Sequence, residues 1–371
     1  MGIQLTTRLV PIPGIAKLVP LGSPLGHLTP LVGTWQGHGF NTIFRPLQPS
    51  LGQDNFLELN LTIESLEVTE IPGEIPNRGL LQPDISLFGM TYLQQVSDAN
   101  VKDAHGNPAG LHIEPGLWVN VPATTDPGEA ATVARLGNIP HGTAVVAQGT
   151  ATVIPGAPVI PPVDITPFFI GNPAARNPFA SQDLSTPSPF RSPAADIVGV
   201  TQAMVDNPNS VLQAALAGRT ISSTTVLQVS TLSGSTTTPN AGGGVADIAF
   251  LDGAGGGPNA RVAEMEATFW ICEDSYGPEP SALLLYSQTV LLNFGPLSWP
   301  HVSVGAMTRV PGGGPGPGGV AGPAEPAPGP GWLRVPPGLE PQPGRPGPDP
   351  APLQPGPEPG PVHPGPAPRP V

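Results

Sequence analysis

Cysteine is almost missing from this chain: Cys272 is the only one in 371 residues. A disulfide within one chain and a metal centre built on several thiolates are both excluded. Charge is sparse as well, with Asp, Glu, Lys and Arg making up 11% of the residues and a formal net charge of -13. Such a surface repels a polyanion, so nucleic acid is not an expected partner. No stretch approaches the roughly 18 uninterrupted apolar residues of a membrane-spanning helix. The apolar beginning, "MGIQLTTRLVPIPGIAKLVPLG", is broken by Pro11, Pro13 and Pro20 and carries Arg8 and Lys17. It suits neither the core of a signal peptide nor a span, which leaves the cytoplasm as the default expectation.

What the chain has in excess is proline, 55 residues, and glycine, 48 residues. Both gather from Pro311 onward, where "PGGGPGPGGVAGPAEPAPGPGW" passes into a run of Pro-Gly repeats without the strict period of collagen. Residues 311–371 are therefore expected to be a disordered tail of polyproline II segments and flexible glycines, with P-x-x-P spacings that proline-recognising domains could read. Residues 1–20 form a lead segment. Residues 21–310 are the expected folded domain.

Within that domain the apolar period is two. "FLELNLTIESLEV" sets Leu57, Leu59, Leu61 and Ile63 on one face against Glu58, Asn60, Thr62 and Glu64 on the other, the alternation of a half-buried strand. "LHIEPGLWVNV" repeats it, and "GTAVVAQGTATVI", "ISSTTVLQVST", "RVAEMEATFWIC" and "SALLLYSQTVLLNF" are further strands bounded by Gly or Pro. Many strands with short polar turns predict a mainly β fold, an antiparallel sheet closed into a barrel or folded as a sandwich. One interval differs. Residues 161–218 hold a long Pro-rich loop followed by the only clear helical stretch, with Asn207 as cap, Pro208 at the first turn and Gly218 past the end. It reads as an insertion packed against one barrel end, as a lid or as decoration.

Familiar catalytic signatures do not occur. The Gly-rich runs "GAGGGPNAR" and "NAGGGVAD" lie between strands and lack the Lys-Ser/Thr pair of a phosphate loop. There is no G-x-S-x-G and no H-E-x-x-H.

Three short motifs carry a resemblance. Gly33, Thr34 and Trp35 give the G-x-W of lipocalin-like (calycin) barrels, whose Trp closes the barrel floor under an Arg of the last strand; Arg309 holds that place. "PLGHLTPLVGTWQGHGFNTI" is similar to the N-terminal signature of nitrobindin-type heme proteins, with Phe40 and Asn41 where that family has Tyr-Pro. "LHIEPGLWVNVP" resembles the family's middle strand, and "FGPLSWPHVSVGAMTRV" its closing hairpin.

The resemblance implies a lipocalin-like antiparallel β-barrel that binds heme through His301 as axial ligand. Gly37, His38, Gly39, Thr42 and His112 would lie beside the group, with reactions of diatomic ligands, peroxynitrite or peroxide at iron. Alternation puts Ser303 and Gly305 on the face of His301, leaving room for a flat ring. His38 and His141 compete as pocket groups. His112 and Glu114 share a parity, so that inside a barrel the carboxylate could fix the imidazole tautomer. Two other readings stand beside heme: a barrel carrying a lipid or another hydrophobic small molecule, and an interaction protein acting through its tail.

Overall fold

A computed structural model of the chain describes residues 23–46, 55–79, 83–125, 128–139, 142–247, 261–274 and 281–310. The lead segment, the tail and His141 lie outside the described residues. Ten long strands follow one another as an antiparallel meander: β1 (Gly33–Arg45), β2 (Phe56–Glu70), β3 (Ile85–Lys102), β4 (Pro108–Val121), β5 (Thr132–Ile139), β6 (Thr143–Pro155), β7 (Ile221–Ser230), β8 (Arg261–Asp274), β9 (Ser281–Phe294) and β10 (Leu297–Arg309). Each strand pairs with the next. β10 then pairs with β1 in register from Trp35 opposite Arg309 to Thr42 opposite Val302, which closes the barrel.

Closure depends on two glycines of β1. A Cβ at Gly37 or Gly39 would collide with the carbonyl oxygens of Ala306 and Val304 on β10, so only glycine lets the strands meet there. Beneath them the floor is sealed as the sequence predicts. The Arg309 guanidinium lies 4.7 Å from the centre of the Trp35 ring, a contact of about 0.5–2 kcal/mol. The Trp35 indole N–H donates to the Leu31 carbonyl at 2.8 Å, and Arg309 donates to the Pro30 carbonyl. Both carbonyls belong to a 3₁₀ turn, Gly26–Leu31, whose Leu28 and Leu31 join Leu25 under the lumen.

The alternation in β2 forms as the sequence predicts, and the lumen takes its polar side. Asn60, Thr62, Glu64 and Leu66 point into the lumen, while Leu57, Leu59 and Leu61 face outward. That outer face is nevertheless buried, because the segment between β6 and β7 lies along it. Ile160, Ile165, Met204, Val205, Val211 and Leu212 cover an apolar wall made by Phe40, Phe44, Trp270, Leu283, Val302 and their neighbours.

The insertion thus packs along the side of the barrel, not against its end. Its order is tied by Arg191, whose guanidinium donates to the carbonyls of Ser181, Asp183 and Thr186. Two short helices form in it, α1 (Gln202–Asp206) and α2 (Ser210–Leu216). Asn207 does not cap the second; it ends α1, and its side chain accepts from the Val163 and Asn209 amides instead. Gly218 follows α2 at φ +75°, as a helix end prefers.

One seam is unusual. The second half of β6 pairs with β7, but its first half pairs with a short strand, Gly242–Asp247. Asp247 holds that strand by accepting from the Thr143 hydroxyl at 2.7 Å and from the Val262 amide of β8 at 3.0 Å.

Candidate functional site

The lumen has three levels. The lowest is solid: Trp35, Leu66, Val68, Met90, Trp118, Phe269 and Met307 pack on the floor turn, with Phe269 edge-on to Trp118 at 5.3 Å.

Above it lies a buried polar layer, built because successive strands turn polar side chains inward at one height. Arg135 of β5 is 2% exposed, and its guanidinium donates to Glu114 at 2.7 Å, to Gln288 at 2.6 Å and to the Tyr92 hydroxyl at 3.1 Å. The Tyr92 hydroxyl in turn donates to Glu114. His112 also faces inward, with Nε2 3.3 Å from the other Glu114 oxygen, so the pair expected from their shared parity does form. On the opposite side Glu64 accepts from the hydroxyls of Tyr286 and Thr62, both at 2.7 Å, and from the Gln94 amide at 3.4 Å.

The two glutamates titrate in opposite directions. Burial disfavours the charge of Glu114, yet Arg135, with His112 and Tyr92, outweighs it and holds the carboxyl at about 2. Glu64 has no guanidinium beside it, so burial raises its value in spite of its three donors and the nearby His112 imidazole. Burial also drives both tyrosines upward, helped for Tyr286 by the neighbouring Glu64. Glu114 is therefore a charged partner for Arg135, and Glu64 tends toward the neutral acid.

The upper level is divided. One wall is apolar, formed by Ile139, Val145, Val262, Met265 and Val290. The other is a polar row across four strands: Asp98, Asn60, Asn41, and Ser303 with His301. Asn60 donates to Asp98 at 2.8 Å; the Asn41 amide lies 2.7 Å from the Ser303 hydroxyl and 2.9 Å from His301 Nε2. Where the two walls approach the polar layer, a cavity of ≈ 10 Å³, room for about one water, is bounded by Glu114, Arg135, Gln288, Val145, Met265 and Val290. Toward the rim Asn41, Ile139, Thr143, Val262, His301 and Ser303 are only half-buried, so this level reaches solvent.

Among the residues expected beside a heme, Gly37, Gly39, His112 and His301 lie on the lumen side. His38 and Thr42 lie on the other face of β1 with Phe40, against the outer wall. His38 there has its value lowered by burial, and Thr42 is fully buried. The space expected beside Gly305 is taken. A Cβ on Gly305 would run into the Tyr286 ring and come within 2.9 Å of Glu64, and the inward side of Gly39 is filled by Glu64 and Thr62. A porphyrin needs an open, flat apolar slot directly beside its axial ligand. The residues around His301, with Nε2 beside an amide and a tyrosine where the ring would stand, do not fit one as they are arranged.

Sequence reasoning missed Arg135, Glu64, Tyr92 and Tyr286 as site residues. The available signal was Arg135 in "TVARLGNI", a charge sharing the parity of Val133 and Gly137 on a strand too apolar to be two-sided.

The fold and its floor define a class: a closed ten-stranded antiparallel barrel of the lipocalin-like kind, an architecture compatible with holding a hydrophobic ligand. Compared with known proteins, the chain matches no family model and no curated protein.

Proposed function

We propose that the barrel binds a small hydrophobic molecule in the upper level of its lumen. The observation that carries this reading is the half-buried ring of inward side chains above a filled lower lumen. A solid barrel would bury them; here the half-buried Ile139 and Val262 lead down to a buried apolar wall of Val145, Met265 and Val290, which together line the cup. The polar layer is its base, too well satisfied by its own hydrogen bonds to be stripped by an apolar guest.

The test is a fluorescence titration of the full chain with Nile red, beside Val290→Trp, which fills the cup, and Thr91→Trp, which adds the same ring on an exposed outward position of β3. Saturable binding weakened at least about tenfold by the first variant and unchanged by the second is expected, the difference of about 1.4 kcal/mol that one well-packed ring can make. Absence of saturable binding, or equal affinity in all three proteins, overturns the reading.

Heme is the competing cargo. A hemin titration beside His301→Ala separates the two: no His301-dependent Soret shift is expected, because Tyr286 and Glu64 occupy the place beside Gly305. A saturable shift lost in the variant would replace the present reading with the heme one.

A further inference from the structure

We infer that the guest of this lumen carries a neutral hydroxyl group and not a carboxylate, and that it donates its hydrogen bond to Asn60. This rests on the lumen being the binding site, as proposed above, and adds the chemistry of the head group.

Asn60 is 6% exposed on the lumen face of β2, and its orientation is fixed. The Asp98 carboxylate can only accept, so the amide nitrogen must point to it, at 2.8 Å, and the amide oxygen must point away. That oxygen is buried and meets no donor among the described residues. A buried acceptor left without a donor is costly and calls for an N–H or O–H from elsewhere. The direct cross-strand partner of Asn60 is Asn41, itself opposite Ser303, and both of these are half-buried, so the row reaches solvent beside Asn60. A guest with its body on the Val145–Val290 wall would turn its head to this row.

Charge decides the kind of head. Among the described residues Glu64, Asp98 and Glu114 face the lumen, and Glu58, on the same face of β2 at the rim, is already paired with Arg45 at 3.0 Å. The cation set among them, Arg135, is spent on Glu114, Gln288 and Tyr92. A carboxylate head would arrive at an acceptor with no free guanidinium to receive it. An ammonium finds no bare anion either, since Asp98 already accepts from Asn60 and from the amides of Asn100 and Val101 at 2.7 and 2.9 Å. A hydroxyl gives the orphan oxygen its donor and brings no charge into a region of low dielectric.

The experiment is displacement of Nile red from the full chain by three eight-carbon probes: 1-octanol, its isomer heptyl methyl ether, which accepts but cannot donate, and octanoate. It is run at pH 8. Octanol is expected to displace the dye at concentrations about fivefold lower than either competitor, the ratio one hydrogen bond supports. In Asn60→Leu octanol should fall to the level of the ether, each probe being read as a ratio to the dye affinity measured in that same protein. Equal or better displacement by the ether or by octanoate overturns the inference, as does an octanol preference kept by the variant. The comparison of alcohol with ether needs no variant and decides the matter if Asn60→Leu does not fold. Dye binding without an alcohol preference sinks this inference alone, whereas absence of dye binding sinks the lumen reading with it.

Discussion

Glu114 and Arg135 form an ion pair with almost no solvent around it, 2.7 Å apart, and the rest of the polar layer is arranged on it. Removing one charge leaves the other buried without compensation, a loss of about 3–5 kcal/mol. Glu114→Gln is therefore expected to lower the unfolding free energy by that amount in urea. Glu64→Gln should change it by less than about 1 kcal/mol, because an amide replaces a carboxyl already tending to neutrality: its oxygen still accepts from Tyr286, and its NH2 donates to the Thr62 hydroxyl, which turns to accept. Equal losses in the two variants would mean that the opposite titration of the two glutamates is wrong. Tyr92 sits between the members of the pair, donating to one and accepting from the other, so its hydroxyl is structural and not a spare acid.

Among the elements, the short strand Gly242–Asp247 is the most weakly tied part of the wall. One edge has the β6 ladder, and the described tie to β8 on the other is the Asp247 carboxylate on the Val262 amide. Asp247→Ala is expected to speed amide exchange at Val245 and Ala246 by about ten- to a hundredfold while leaving β7 and β9 protected, since loss of charged hydrogen bonds worth about 1.5–3 kcal/mol falls on a local opening. Uniform change across the barrel, or no change in these amides, would contradict a local latch. Elements of this kind also show what the sequence could and could not reveal. The strands, the Trp35 floor and the Arg309 stack were legible because period-two alternation and a G-x-W with a distant Arg are local patterns. The sense of β2 was not, because alternation says which residues share a face and not which face is inward. Its apolar side is covered by Met204, Val211 and Leu212, more than 140 positions away, and the pairing of those helices with an outer wall leaves no mark in either stretch. The slot beside His301 failed for the same reason: Gly305 is small, but the ring that fills the space is Tyr286 of the neighbouring strand.

For the molecule as a whole, the polar layer sets a dependence of stability on pH with two opposed parts. Glu114 has its value depressed to about 2 from the ordinary 4.5, so its contribution is fully present above 4.5 and is lost as the pH falls toward 2. The size is about 3–4 kcal/mol, from about 1.4 kcal/mol for each pH unit between 4.5 and 2. Glu64 is raised, so its folded form holds the proton more tightly than the unfolded chain does. Its contribution is greatest below the ordinary value and declines as the pH rises through the folded one. Urea midpoints measured between pH 2.5 and 8 should therefore fall steeply on the acid side. The double variant Glu114→Leu with Arg135→Leu removes the pair without leaving a bare charge, and should fold with a shallower acid limb. Glu64→Gln should keep the steep acid limb and lose the decline toward neutral pH. If the double variant retains the full acid slope, the loss comes from carboxylates at the surface, and the buried pair is not what ties the stability of the barrel to pH.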